Sequence, residues 1–217
     1  MRYQVDAILF DLDGTLIEPA IDFAELKARV LEQCTQAGVD ASRWASQPAL
    51  EIIARAVAEL QQDAADRARN LAINADRAII QIELEAAAHV QPYPGVQQML
   101  QALIDEGYRI GIVTRNCREA VDLVLERWPL PHQALLTRDD VTHVKPDPRH
   151  LSAALQALNA GDARVLMVGD HPMDIAAGRS IGAITALVRT VHMSEERIGQ
   201  AAPDLVLDQI VDLIKHL

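Results

Sequence analysis

Hydrophobic positions along this chain fall into two patterns. Short, almost uninterrupted apolar runs stand at Asp6–Phe10 (DAILF), Tyr108–Val113 (YRIGIV), Ala134–Thr137 (ALLT), Arg164–Val168 (RVLMV) and Ile184–Val188 (ITALV), with a weaker run at Asp204–Leu207 (DLVL). Runs of this length without strict alternation suit strands buried on both faces, as in a parallel sheet. Between them, apolar residues recur at helical spacing. Val96, Met99, Leu100, Leu103 and Ile104 form one stripe, stopped by Gly107; Val121, Val124, Leu125 and Trp128 form another ahead of Pro129; Leu151, Ala154, Leu155 and Leu158 form a third. Each reads as the core-facing side of a helix. The alternation predicts an α/β fold, a parallel sheet with helices on both faces.

One stretch breaks the alternation. From Ile17 to Gln91 there is no strand pattern, only helix-forming sequence rich in Ala, Leu, Glu, Arg and Gln. Ile52, Ile53, Ala56, Val57 and Leu60 make one apolar face, and Leu71, Ala75, Ala78, Ile79 and Ile82 make another. So much helix between two strands exceeds a single crossover connection. The expected organisation is therefore a core of residues 1–16 and 92–217, with residues 17–91 an inserted helical domain ending at the turn Pro92-Tyr93-Pro94-Gly95.

Composition narrows the range of partners. Half of the 217 residues are hydrophobic and 24% are charged, as in a soluble globular protein. Lys and Arg number 20 against 31 Asp and Glu, a net charge of −11, which argues against nucleic acid as a main partner. The longest apolar run, Ile181–Val188, falls far short of a bilayer span, and the start MRYQVDAILFDLDG lacks a signal-peptide core, so no membrane partner is expected. Cys34 and Cys117 form no CxxC pair and read as reduced thiols of a cytoplasmic protein. His89, His132, His143, His150, His171, His192 and His216 show no ligand spacing, and only His171 lies in a candidate site loop. These patterns specify neither a substrate nor an oligomeric state.

Ligands of open parallel sheets bind beyond the carboxyl ends of the strands, so the residues just after each strand carry the chemistry. Asp11-Leu12-Asp13-Gly14-Thr15 follows Phe10, Thr114-Arg115-Asn116 follows Val113, and a loop after Thr137 leads to Lys145. Gly169-Asp170-His171-Pro172-Met173-Asp174 follows Val168. Carboxylates gathered at one rim repel one another and raise each other's pKa, a cost that a divalent cation removes. An all-oxygen ligand set without a His or Cys cluster points to Mg²⁺.

These motifs, in this order and with a helical insert after the first, resemble the haloacid dehalogenase superfamily of phosphotransferases, and the resemblance runs the length of the chain. It implies a Rossmann-like core with an α-helical cap, akin to phosphoglycolate phosphatases, and a Mg²⁺-dependent phosphatase acting on a small phosphorylated metabolite. By that resemblance Asp11 is the nucleophile that forms an aspartyl-phosphate. Asp13 is the general acid and then the general base. Thr114 and Lys145 complete the catalytic set, and Gly14, Thr114, Lys145 and either Arg115 or Asn116 contact the phosphate. Asp11, Asp13 through its carbonyl, and Asp170 would bind the metal, with Asp174 holding its waters or orienting Lys145. An acid at position 13 weighs against dehalogenation, since a halide needs no proton. Motif two usually places Asn directly after Thr; here Arg115 intervenes. The insert resembles the small cap that excludes solvent and sets specificity. Of its seven basic residues, Arg29, Arg43, Arg55, Arg67, Arg69 and Arg77 are candidates to meet an anion, among twelve acids. A phosphomutase of the β-phosphoglucomutase type, or a non-catalytic binding protein on the same fold, are the alternatives.

Overall fold

In the computed structural model, which describes residues 2–190 and 193–217, the chain divides into two compact units. His192 lies outside the described residues. One unit comprises Met1–Pro19 and Val90–Leu217, the other Ala20–His89.

The first unit is built on six parallel strands: β1 (Ala7–Phe10), β2 (Arg109–Val113), β3 (Ala134–Leu136), β4 (Val165–Gly169), β5 (Ile184–Val188) and β6 (Leu205–Leu207). Each expected strand is present, with ends within one residue of its apolar run. The polar residues at strand entrances are trimmed because their side chains satisfy neighbouring backbone instead. Asp6 accepts the Arg164 N–H at 2.9 Å, and Asp204 accepts the Thr185 N–H at 2.8 Å. Sheet order is β3-β2-β1-β4-β5-β6. The chain winds outward from β1 on one side and then crosses to wind outward on the other, so a crevice opens at the carboxyl end of β1, beside β2 and β4.

The second unit carries α1 (Phe23–Gln36), α2 (Ala49–Gln61) and α3 (Ala65–Ala87). Asp22 caps α1 by accepting the Ala24 and Glu25 N–H groups at 2.9 and 3.0 Å, a contribution of about 1 kcal/mol. Leu26, Val30 and Cys34 of α1 pack with Ile52, Ala56 and Leu60 of α2 and Leu71, Ala75 and Ile79 of α3 in a core of their own.

Back in the first unit, α4 (Val96–Asp105), α5 (Arg118–Arg127), α6 (Pro148–Ala157), α7 (Pro172–Ser180) and α8 (Glu195–Ala201) flank the sheet. Leu151, Ala154 and Leu155 of α6 and Ala177 of α7 close over Leu9, Val113 and Met167 on one face. Val96, Met99, Leu100 and Leu103 are the buried side of α4. No helix among the described residues is long and apolar enough to cross a membrane.

Candidate active site

Asp11 is placed by the sheet itself: its N–H donates to the Val168 carbonyl at 2.9 Å, one step past the β1–β4 pairing. The chain then turns tightly, with the Leu16 and Ile17 N–H groups converging on the Leu12 carbonyl at 2.9 and 3.1 Å. Gly14 makes that turn at φ +80°, and a Cβ there would lie 2.4 Å from Asp170 Oδ2. Both the backbone angle and the approach of the β4 loop therefore require glycine.

Lys145 comes from the loop between β3 and α6 and is 1% exposed. Its Nζ donates to Asp11 Oδ1 at 2.6 Å and stands 2.7 Å from Asp174 Oδ1. Burial alone would lower its pKa, but the two carboxylates outweigh that and hold it above the usual lysine value. Its backbone N–H is also satisfied, donating to Nδ1 of the buried His150 at 3.2 Å.

His171 caps α7, its Nδ1 accepting the Met173 N–H at 3.2 Å, while Asp174 Oδ2 accepts the His171 N–H at 3.1 Å. The reciprocal pair fixes the first turn of α7 and leaves Asp174 Oδ1 facing Lys145.

The loop after β2 brings Thr114 and Asn116 close to Asp13. Thr114 and Asn116 are buried, and Thr114 Oγ1 and Asn116 Nδ2 each lie 3.4 Å from Asp13 Oδ2. Asn116 Oδ1 is occupied by the Cys117 N–H at 3.0 Å, which orients the amide with its NH₂ toward the acid. Arg115 Nη1 stands 3.1 Å from Met173 Sδ in the loop after β4. Cys117 caps α5, its Sγ accepting the Ala120 N–H.

Whether a divalent cation fits can be tested on the acids themselves. Carboxylate oxygens of Asp11, Asp170 and Asp174 lie within 4.8 Å of one another. Lys145 is shared by Asp11 and Asp174, and Asp170 forms no ion pair among the described residues. Burial first, and then the charges of Asp11 and Asp174, push the Asp170 carboxyl well above the ordinary range. Burial also raises Asp11, against the pull of Lys145 and with the repulsion of Asp174 and Asp13. A close set of hard oxygen donors, destabilised in its charged form, is a fitting seat for Mg²⁺.

Two residues near the site escaped the sequence reading. Tyr93 lies in the turn that ends the insert, and its hydroxyl is pushed up by burial and then by the charges of Asp170 and Glu18. His150 sits five residues beyond Lys145 in a helix that reads as plain core. Neither has a spacing that sets it apart from structural residues.

A doubly wound sheet that gathers acids from two neighbouring strand ends around one buried lysine is an enzyme platform of the α/β class. The chain belongs to the haloacid dehalogenase-like hydrolase family, whose sequence profile matches residues 8–188. Pyrophosphatase PpaX from Bacillus thuringiensis (strain Al Hakam) is 38% identical over 130 residues, covering 59% of this chain and 60% of that protein. The match thus spans less than two thirds of the length of these curated relatives. Among solved structures, a predicted phosphoglycolate phosphatase from Haemophilus somnus 129PT superposes with a TM-score of 0.64 at 21% identity, covering 97% of this chain and 96% of that one. A chain described as a β-phosphoglucomutase from Thermotoga maritima superposes with a TM-score of 0.63 at 18% identity, covering 97% of each. At such identities the likeness is one of fold.

Proposed function

We propose that this protein is a Mg²⁺-dependent phosphatase that hydrolyses a small phosphorylated metabolite through an aspartyl-phosphate. The observation that carries the reading is the buried Lys145 ammonium 2.6 Å from Asp11, with the second carboxylate of the same turn, Asp13, lying 3.4 Å from each of the donors of Thr114 and Asn116. A nucleophile needs its lone pair aimed, and a second carboxylate within reach of the same phosphoryl group can carry the proton.

In the first step an Asp11 carboxylate oxygen attacks phosphorus, the bond from phosphorus to the ester oxygen breaks, and Asp13 gives its proton to the leaving alkoxide. In the second, Asp13 takes a proton from water, whose oxygen attacks the phosphorus of the aspartyl-phosphate and releases inorganic phosphate with Asp11 restored. Lys145 balances charge on the phosphoryl oxygens, Asp174 holds Lys145 in place, and Thr114, Asn116 and the Gly14 backbone bind the phosphoryl group. Asp11, the Asp13 carbonyl and Asp170 are the residues that would hold Mg²⁺, which when bound offsets the negative charge of the acids and the transferring group. The helical insert acts as the cap that sets substrate choice. Phosphoglycolate, sugar phosphates and, from the curated relatives' name, pyrophosphate are the natural candidates.

The test is phosphate release from a panel of such compounds with and without Mg²⁺. Release is expected to need the metal and to fall more than about 10³-fold in Asp11→Asn. Activity that survives in Asp11→Asn removes the covalent mechanism. A folded, Mg²⁺-binding protein that hydrolyses no member of the panel moves the reading to a mutase or a binding protein.

A further inference from the structure

The group that holds Lys145 from behind has no part in the chemistry above. His150 lies in the first turn of α6 and is wholly buried. Its Nδ1 accepts the Lys145 N–H at 3.2 Å, while the Lys145 side chain runs from the same residue to Asp11 and Asp174. A ring nitrogen that accepts a hydrogen bond carries no proton, so the ring must be neutral with its hydrogen on Nε2. The surroundings enforce this. Burial first, and then the positive charge of Lys145, push the His150 pKa down to about 4, against the pull of the Leu136 and Thr137 backbone and with a smaller push from Arg115. At neutral pH the acceptor is always present, and the ring itself adds no positive charge beside Lys145.

We propose that His150 is a positioning residue for the reaction: its Nδ1 fixes the backbone of Lys145, and through it the place of the ammonium against Asp11. This rests on the phosphatase reading for its effect on turnover. A lysine stem has four rotatable bonds, so an ammonium is only as well placed as the backbone from which the stem starts. Tethering that backbone to a rigid, buried ring removes one source of play where displacements of about 1 Å are costly.

Two substitutions separate positioning from packing. His150→Asn keeps an acceptor close to the place of Nδ1 but leaves a cavity. His150→Leu fills the space but offers no acceptor. If the ring is core filling alone, turnover follows thermal stability and the Leu variant does as well as, or better than, the Asn variant. The expected result is the reverse: kcat falls about tenfold to hundredfold in His150→Leu with KM changed less, and His150→Asn recovers most of it despite a lower melting temperature. A Leu variant with wild-type kcat, or losses in both variants that track stability, overturns the proposal. Should the wild-type protein release no phosphate, the phosphatase reading fails separately. The tether is then judged by amide hydrogen exchange at Lys145, expected to quicken about tenfold or more in His150→Leu but not in His150→Asn. Unchanged exchange in the Leu variant sinks it.

Discussion

Gly14 concentrates two demands in one residue: a left-handed backbone and bare contact with the acid of another loop. The demands separate by comparison with Gly182, which has φ +72° but nothing within 4 Å of a built Cβ. Gly182→Ala is expected to cost about 1–2 kcal/mol of stability, the backbone penalty alone, and to leave turnover within about twofold. Gly14→Ala carries the same penalty and also drives a methyl group into Asp170. Its phosphate release should fall at least about tenfold, with weakened Mg²⁺ binding by calorimetry. Equal effects of the two substitutions would remove the argument from close approach. Such contacts mark what could be read at this scale. The acids, Thr114 and Lys145 were legible as residue types after apolar runs. That the Asn116 amide presents its NH₂ to Asp13 was not, because it depends on where Cys117 presents its N–H. His150 was hidden because what distinguishes it is a neighbour across a loop.

Elements place the acids together whether or not their charges agree. β1 and β4 are adjacent and parallel, with Phe10 beside Val168, so Asp11 and Asp170 leave the sheet side by side. The strands were legible because runs buried on both faces are apolar throughout. Their order was not, since periodicity says nothing about which strand lies next to which. That order creates a dependence on pH. Asp11 is raised to about 7 and Asp170 to about 8, both from an ordinary value of 3.8. The metal-free folded protein therefore keeps protons that the unfolded chain has already lost. Stability from these groups is complete below about pH 4 and is lost as pH rises through 7 and 8. Mg²⁺ requires both groups deprotonated, so its stabilising effect runs the other way. The rise in melting temperature on adding Mg²⁺ should be larger at about pH 8 than at about pH 6, and Asp170→Asn should abolish most of that difference. A rise independent of pH would exclude these carboxylates as the metal's seat.

At the scale of the whole molecule, the expected insert of residues 17–91 rests on a length of helical sequence where a crossover belonged. Backbone pairing between distant segments leaves no mark on composition. Glu18 N–H donates to the Gln91 carbonyl at 2.9 Å, Tyr93 N–H to the Leu16 carbonyl at 3.1 Å, and Trp128 Nε1 to the Val90 carbonyl at 3.1 Å. Both linkers therefore belong to the first unit and run side by side. The second unit has its own apolar core in Val30, Ile52, Ala56 and Ala75. Joining Pro19 to Val90 through a short Gly-Ser linker should then give a folded sheet unit, since the ends to be joined are already paired. That excised protein should keep its Mg²⁺-dependent rise in melting temperature, because every candidate metal ligand lies in the retained unit. What it should lose is choice. If the insert selects the substrate, the spread of kcat/KM between the best and worst members of the panel should narrow at least about tenfold, mainly through loss on the best. A retained spread at reduced overall rate would leave the insert only the exclusion of water and return selectivity to the strand ends, where Arg115, beside Met173 on the rim, would be the first residue to vary.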